Sequence, residues 1–68
     1  MSPGSKKLGA NIRRIRLEKV LSQADLWRKL GVDRAYMSNL EHGKKNPTLS
    51  TIEKIAKALE VKLEELMQ

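Results

Sequence analysis

An all-α fold follows from three features of this 68-residue chain. Apolar residues recur at helical spacing in successive segments. Ser, Asp and Thr stand as caps immediately before several of those segments, and Gly stands after two of them. No stretch alternates apolar and polar residues in the way a half-buried strand requires. These features predict five short helices around one core, with no internal repeat and no linker. A core of this size contributes only a few kcal/mol net, about 3–5, so the domain should be close to minimal. The opening "MSPGS" (1–5) reads as a disordered leader, which leaves 6–68 as the folded domain.

In "KKLGANIRRIRLEKV", Leu8, Ile12 and Ile15 recur at i, i+4 and i+7 and predict the first helix. In "LSQADLWRKLG", Ser22 is a cap, with Asp25 as its weak capping-box partner. Leu21 and Leu26 form a hydrophobic staple, Leu26 and Leu30 share a face, and Gly31 ends the helix. The pattern then repeats in "VDRAYMSNLEHG": Asp33 caps, Val32 and Met37 staple, Met37 and Leu40 face inward, and Gly43 closes. Helices of two to three turns are marginal alone, so tertiary packing must hold them. Two such helices joined by a short turn containing Gly read as a helix-turn-helix at about 23–42. After the basic loop "HGKKNP", Thr48 caps a fourth helix with an apolar stripe of Leu49, Ile52, Ile55, Ala56 and Leu59. A fifth, about 63–67, uses Leu63 and Leu66, with Val61 stapled onto Leu66.

The charge is uneven. Fourteen Lys and Arg face eight Asp and Glu, a net +6, and residues 1–46 carry eleven of the bases but only four of the acids. The last third is nearly neutral. A basic lobe of this kind points to a polyanion partner, with a solvated Lys-rich helical surface as the bland reading. There are no Cys and only one His, so neither disulfides nor a thiolate metal site is expected, and His42 reads as a surface residue at a helix end. No cofactor is expected. The longest apolar run is too short to span a membrane and no signal peptide is evident, so the expected location is cytoplasmic.

From Leu21 to Leu59 the residues resemble the DNA-binding domain of the Cro/repressor (XRE) helix-turn-helix family. The resemblance rests on Leu21-Ser22-Gln23, Leu26, Leu30-Gly31-Val32, Met37-Ser38, Leu40-Glu41, Gly43-Lys44, Asn46-Pro47 and "IAKAL" (55–59), and extends over roughly 6–67 in one register. It implies a lambda-repressor-like bundle whose third helix, 34–42, enters the major groove of duplex DNA. On that basis Arg34, Ala35, Ser38 and Asn39 are the expected base contacts. Arg34 can donate twice to a guanine, Asn39 can pair with an adenine, and Ala35 can meet a thymine methyl. Gln23, Tyr36, Lys44, Lys45 and Asn46 are the expected phosphate contacts. The resemblance also implies an ion pair between Arg16 and Glu41, structural in role.

Four positions depart from the family's habit. Trp27 stands where Ala is usual, which should force the helices apart or turn the ring toward solvent; the expectation is a partly exposed ring. Val20 and Glu60 stand where Gly commonly ends a helix, so the first helix is expected to end differently. Lys62 replaces a Ser or Thr cap.

The leading expectation is a sequence-specific transcription regulator, acting as a two-fold dimer on a pseudo-palindromic site. Val61, Leu63, Leu66 and Met67 are candidates for that interface, or else they complete the core. The alternative is a protein-interaction module, an antitoxin or adaptor on the same fold, which an exposed Trp27 would favour. An enzyme is not expected: the sequence has no phosphate-cradling Gly loop, no Cys nucleophile and no carboxylate set with a His base.

Overall fold

Helix α1 spans Pro3–Glu18, α2 Gln23–Leu30, α3 Arg34–Glu41, α4 Leu49–Leu59 and α5 Leu63–Met67 in a computed structural model that describes the backbone of residues 3–68 and the side chains of 4–68. Helix α1 packs on α3 and α5, α2 on α3 and α4, and α4 on α5. The core is drawn from all five: Leu8, Ile12 and Ile15 from α1, Leu26 from α2, Met37 and Leu40 from α3, Ile52, Ile55, Ala56 and Leu59 from α4, and Leu66 from α5. These are the i, i+3, i+4 stripes of the sequence. Burying each large aliphatic side chain contributes about 1.5–3 kcal/mol before entropy is charged against it.

Three expectations change. First, α1 begins at Pro3, so residues 3–5 are helical and not a disordered leader. Proline is tolerated in a first turn because its missing N–H would have no intrahelical acceptor there. Ser5, one turn in, is buried. The rest of the expected leader, residues 1 and 2, lies outside the described residues. Second, Leu49 is 61% exposed. It is the first residue of α4, and that helix's stripe meets the core only from its second turn. Third, Leu66 is fully buried in this chain's own core and is not free to form an interface. Beside it, the Asn11 side-chain amide donates to the carbonyls of Leu66 and Gln68, both at 2.9 Å, and ties the end of α5 to α1.

The caps are local chemistry. The Ser22 hydroxyl accepts from Asp25 N–H at 3.0 Å, and the Asp25 carboxylate accepts from Ser22 N–H at 2.8 Å, so the box closes even with the shorter acid. Asp33 accepts from Tyr36 N–H at 2.7 Å and Thr48 from Thr51 N–H at 3.2 Å. At Lys62, where no side chain accepts, the Glu65 carboxylate still takes the Lys62 N–H at 2.8 Å.

Helices α1 to α4 close with the same pair of backbone bonds. Gly31 and Val32 donate to the Arg28 and Trp27 carbonyls, and Gly43 and Lys44 donate to those of Leu40 and Asn39. Glu60 and Val61 do the same to Lys57 and Ala56. So do Val20 and Leu21 to Leu17 and Arg16. The first helix therefore does not end differently: Val20 adopts φ 57° and Glu60 φ 59° where a Gly would be unstrained. Val20 is 89% exposed, so its branched side chain meets water and not a neighbour. The cost of about 1–2 kcal/mol is confined to its own backbone.

Candidate nucleic-acid interface

The arrangement around α3 is set by one buried polar cluster. Arg16 Nε donates to Glu41 Oε2 at 2.7 Å and Nη2 donates to Oε1 at 3.1 Å, a bidentate pair between α1 and α3. A further Arg16 nitrogen donates to the Leu21 carbonyl at 2.8 Å, and the Gln23 amide donates to Glu41 Oε1 at 3.3 Å. One carboxylate thus gathers α1, the start of α2 and the end of α3. Both charged side chains are nearly buried, so the pair adds little net stability but strongly penalises any helix shift that would break it.

A second constraint was missed in the sequence. Gly9 lies in α1 where it faces the end of α3. A Cβ there would meet the Leu40 carbonyl oxygen and stand 2.7 Å from that of Glu41. The two helix backbones approach so closely that any side chain would push α1 off α3. The signal was available: a Gly inside an amphipathic helix costs about 1 kcal/mol relative to Ala and asks for a packing reason.

With α3 so placed, Arg34 and Ala35 are exposed on its first turn, and Ser38 and Asn39 are half-buried one turn on. Tyr36 is half-buried against the core, and the Lys45 ammonium lies 5.6 Å from its ring centroid. Lys44, Lys45 and Asn46 are exposed on the loop that leaves α3. Gln23 is half-buried, with one amide hydrogen engaged by Glu41. His42 donates from Nδ1 to the Ser38 carbonyl at 2.7 Å, a helix-end bond within α3. At the start of α2, Asp25 is held below the usual carboxylate range by the Ser22 N–H first and the Ser22 hydroxyl next.

Trp27 is half-buried, packed against the core, with the Arg28 guanidinium 5.2 Å from its ring centroid. The partly exposed placement expected from the sequence is the one observed. The indole packs partly on the core and keeps part of its ring in solvent, with Arg28 beside it.

A bundle whose second and third helices form a two-helix unit joined by a short turn containing Gly31, with a basic loop after α3, has the helix-turn-helix arrangement found in DNA-binding regulators. Residues 12–66 match the helix-turn-helix family model HTH_3, and the chain belongs to that family. It is 40% identical over 62 residues to an uncharacterized HTH-type transcriptional regulator of Sinorhizobium fredii, y4dJ, covering 91% of this chain and 80% of that one. Among solved structures it resembles the restriction-modification controller protein C.AhdI from Aeromonas hydrophila, with TM-score 0.84, 39% identity and 90% and 92% of the two chains covered. It also resembles the controller protein C.Esp1396I, solved as a tetramer in complex with its natural 35-base-pair operator, with TM-score 0.83, 34% identity and both chains covered in full. The Trp at position 27 and the non-Gly turns at 20 and 60 therefore leave the family arrangement in place. Among the described residues no helix is long and apolar enough to cross a membrane.

Proposed function

We propose that this protein binds a specific duplex DNA site as a transcription regulator, with the first turn of α3 in the major groove. The observation that carries this reading is the exposed Arg34–Ala35 edge flanked by the basic loop Lys44–Lys45, on a helix whose angle is locked by Arg16 and Glu41. Arg34, Ala35, Ser38 and Asn39 read base edges. Tyr36, Lys44, Lys45 and Asn46 grip phosphates, the Tyr36 ring also steadying Lys45, and Gln23 contributes the start of α2 more than its side chain.

One such domain covers few base pairs, so the protein acts as a two-fold dimer on half-sites about one helical turn apart. Of the apolar residues near the C-terminus, Met67 is 55% exposed and Val61 and Leu63 are partly so; these three, without Leu66, form the candidate contact. The operator-bound tetramer of the similar controller protein supports an assembly of this kind. Trp27 is half-buried, so it offers less of the exposed aromatic anchor that would favour the protein-interaction reading.

Selection from a random duplex pool should return a pseudo-palindrome. Binding to it should weaken with salt at a log–log slope of about −4 to −5 per protomer, for about five phosphates engaged by Gln23, Arg34, Lys44 and Lys45 together with backbone groups. Arg34→Ala should relax base preference at one position per half-site at a cost of about 1–3 kcal/mol. Lys44→Ala should weaken all sequences alike. A flat salt response, or no enriched sequence, would sink the reading.

A further inference from the structure

The start of α1 is docked on the loop that follows α3, and that placement has a consequence for the phosphate grip. Two separate contacts hold it there. Gly43 turns at φ 75°, and a Cβ on it would stand 2.7 Å from Lys6 Cα and 2.9 Å from Lys6 Cγ. The first carbons of the Lys6 side chain therefore lie directly on the residue before Lys44. One residue earlier, the buried Ser5 hydroxyl donates to Asn46 Oδ1 at 3.4 Å.

Lys6, Lys44 and Lys45 are all exposed, and Lys45 reaches back over Tyr36 on the first turn of α3. Lys6, Lys44 and Lys45 thus bring positive charge from α1 and from the loop to the neighbourhood of the first turn of α3. Among the described residues the ion pairs are Arg14–Glu18 and Arg16–Glu41, and neither neutralises these lysines. Like charges placed side by side repel, and a polyanion removes that cost.

We propose that Lys6 is a DNA phosphate contact, so that three elements and not two grip the backbone on this side of the groove. The proposal rests on the DNA-binding reading above. Lys7, the next residue, supplies an internal control. It lies on the other side of α1, beside Leu66 and Met67, and is not part of this group.

The test is titration of a labelled duplex carrying the selected site, between 50 and 300 mM salt, at a temperature where circular dichroism shows every variant folded. Lys6→Gln should make the slope of log Kd against log salt shallower by about 0.9, and weaken binding about fivefold at 0.15 M, equally on selected and random duplex. Lys6→Arg should bind like the parent, and so should Lys7→Gln. On the unsubstituted protein, bound duplex should protect the Lys6 amine from acylation while Lys54 and Lys57 stay reactive, a readout that needs no variant. Should Lys44→Gln reduce the slope while Lys6→Gln leaves it unchanged and the Lys6 amine stays reactive, the proposal is overturned and the DNA-binding reading stands. Should the parent protein bind no duplex, both fall together.

Discussion

The end of the molecule that presents α3 and the end closed by α5 are held together by different physics. At the first, a bidentate ion pair, a Gln amide and a backbone-to-backbone approach at Gly9 fix one arrangement. These contacts are directional and short, and they fail abruptly when geometry changes. At the second, the Asn11 amide bonds tie down the end of α5, but the main contact is Leu59 and Leu66 in an apolar core where volume matters more than angle. Apolar contacts hold the fold with some tolerance, whereas the polar cluster sets where the recognition helix points.

The sharpest way to break that contrast is Glu41→Ala. It strands a buried Arg16 guanidinium and should cost about 3–5 kcal/mol by denaturant titration. The double change Arg16→Met with Glu41→Leu should recover most of that stability yet still bind DNA more weakly, because the angle of α3 is no longer held. A double variant with full stability and full affinity would remove the distinction. At the other end, Leu66→Ala should cost about 2–5 kcal/mol, while the affinity of one folded protomer for a single half-site stays close to the parent's.

Trp27→Ala tests the boundary between the two regions. The ring packs on the core, so its loss should cost about 1–2 kcal/mol, roughly half that of a fully buried ring. Its emission should fall between buried and solvated values and remain open to iodide. A neutral substitution would show that the core contact is idle.

Val20→Gly should be smaller and of opposite sign. Removing the strain of φ 57° should raise stability by about 1 kcal/mol, with part of the gain lost to the freer unfolded chain. The smallest effect is expected at Asp25, an exposed carboxylate on the cap of α2. Its pKa is lowered by folding, so its contribution is complete above the unfolded carboxylate range and fades as pH falls through the folded value. Asp25→Asn should flatten that acid limb slightly; an unchanged acid profile would show that the cap carries no charge dependence.

Most of the local punctuation was legible, the start of α1 and the turn at Val20 excepted. Ser22, Asp33 and Thr48 cap where they were expected to, and Gly31 and Gly43 turn where they were expected to, because each bond joins residues within five positions of each other. The stripes chose the core except at Leu49, which is exposed, and at Leu30 and Leu63, which are only partly buried, since periodicity says which face turns inward but not where along a helix the neighbours stop. For the candidate site, the Arg16–Glu41 pair came from resemblance, and the exposure of Arg34 and of the basic loop agrees with the expected surface.

What the sequence could determine by itself was the set of interactions that close within a turn or two of helix: caps, staples, stripes and the count of helices. The tertiary structure decided everything that joins distant positions. Gly9 is required only because the end of α3 passes over it, Asn11 finds its acceptors at the far end of the chain, and Lys6 joins the lysines of the loop only because Gly43 lets α1 come down on it. It also decided that Val20 keeps the turn of a Gly. Local strain of about 1–2 kcal/mol is outweighed when the packing of both flanking helices depends on that turn.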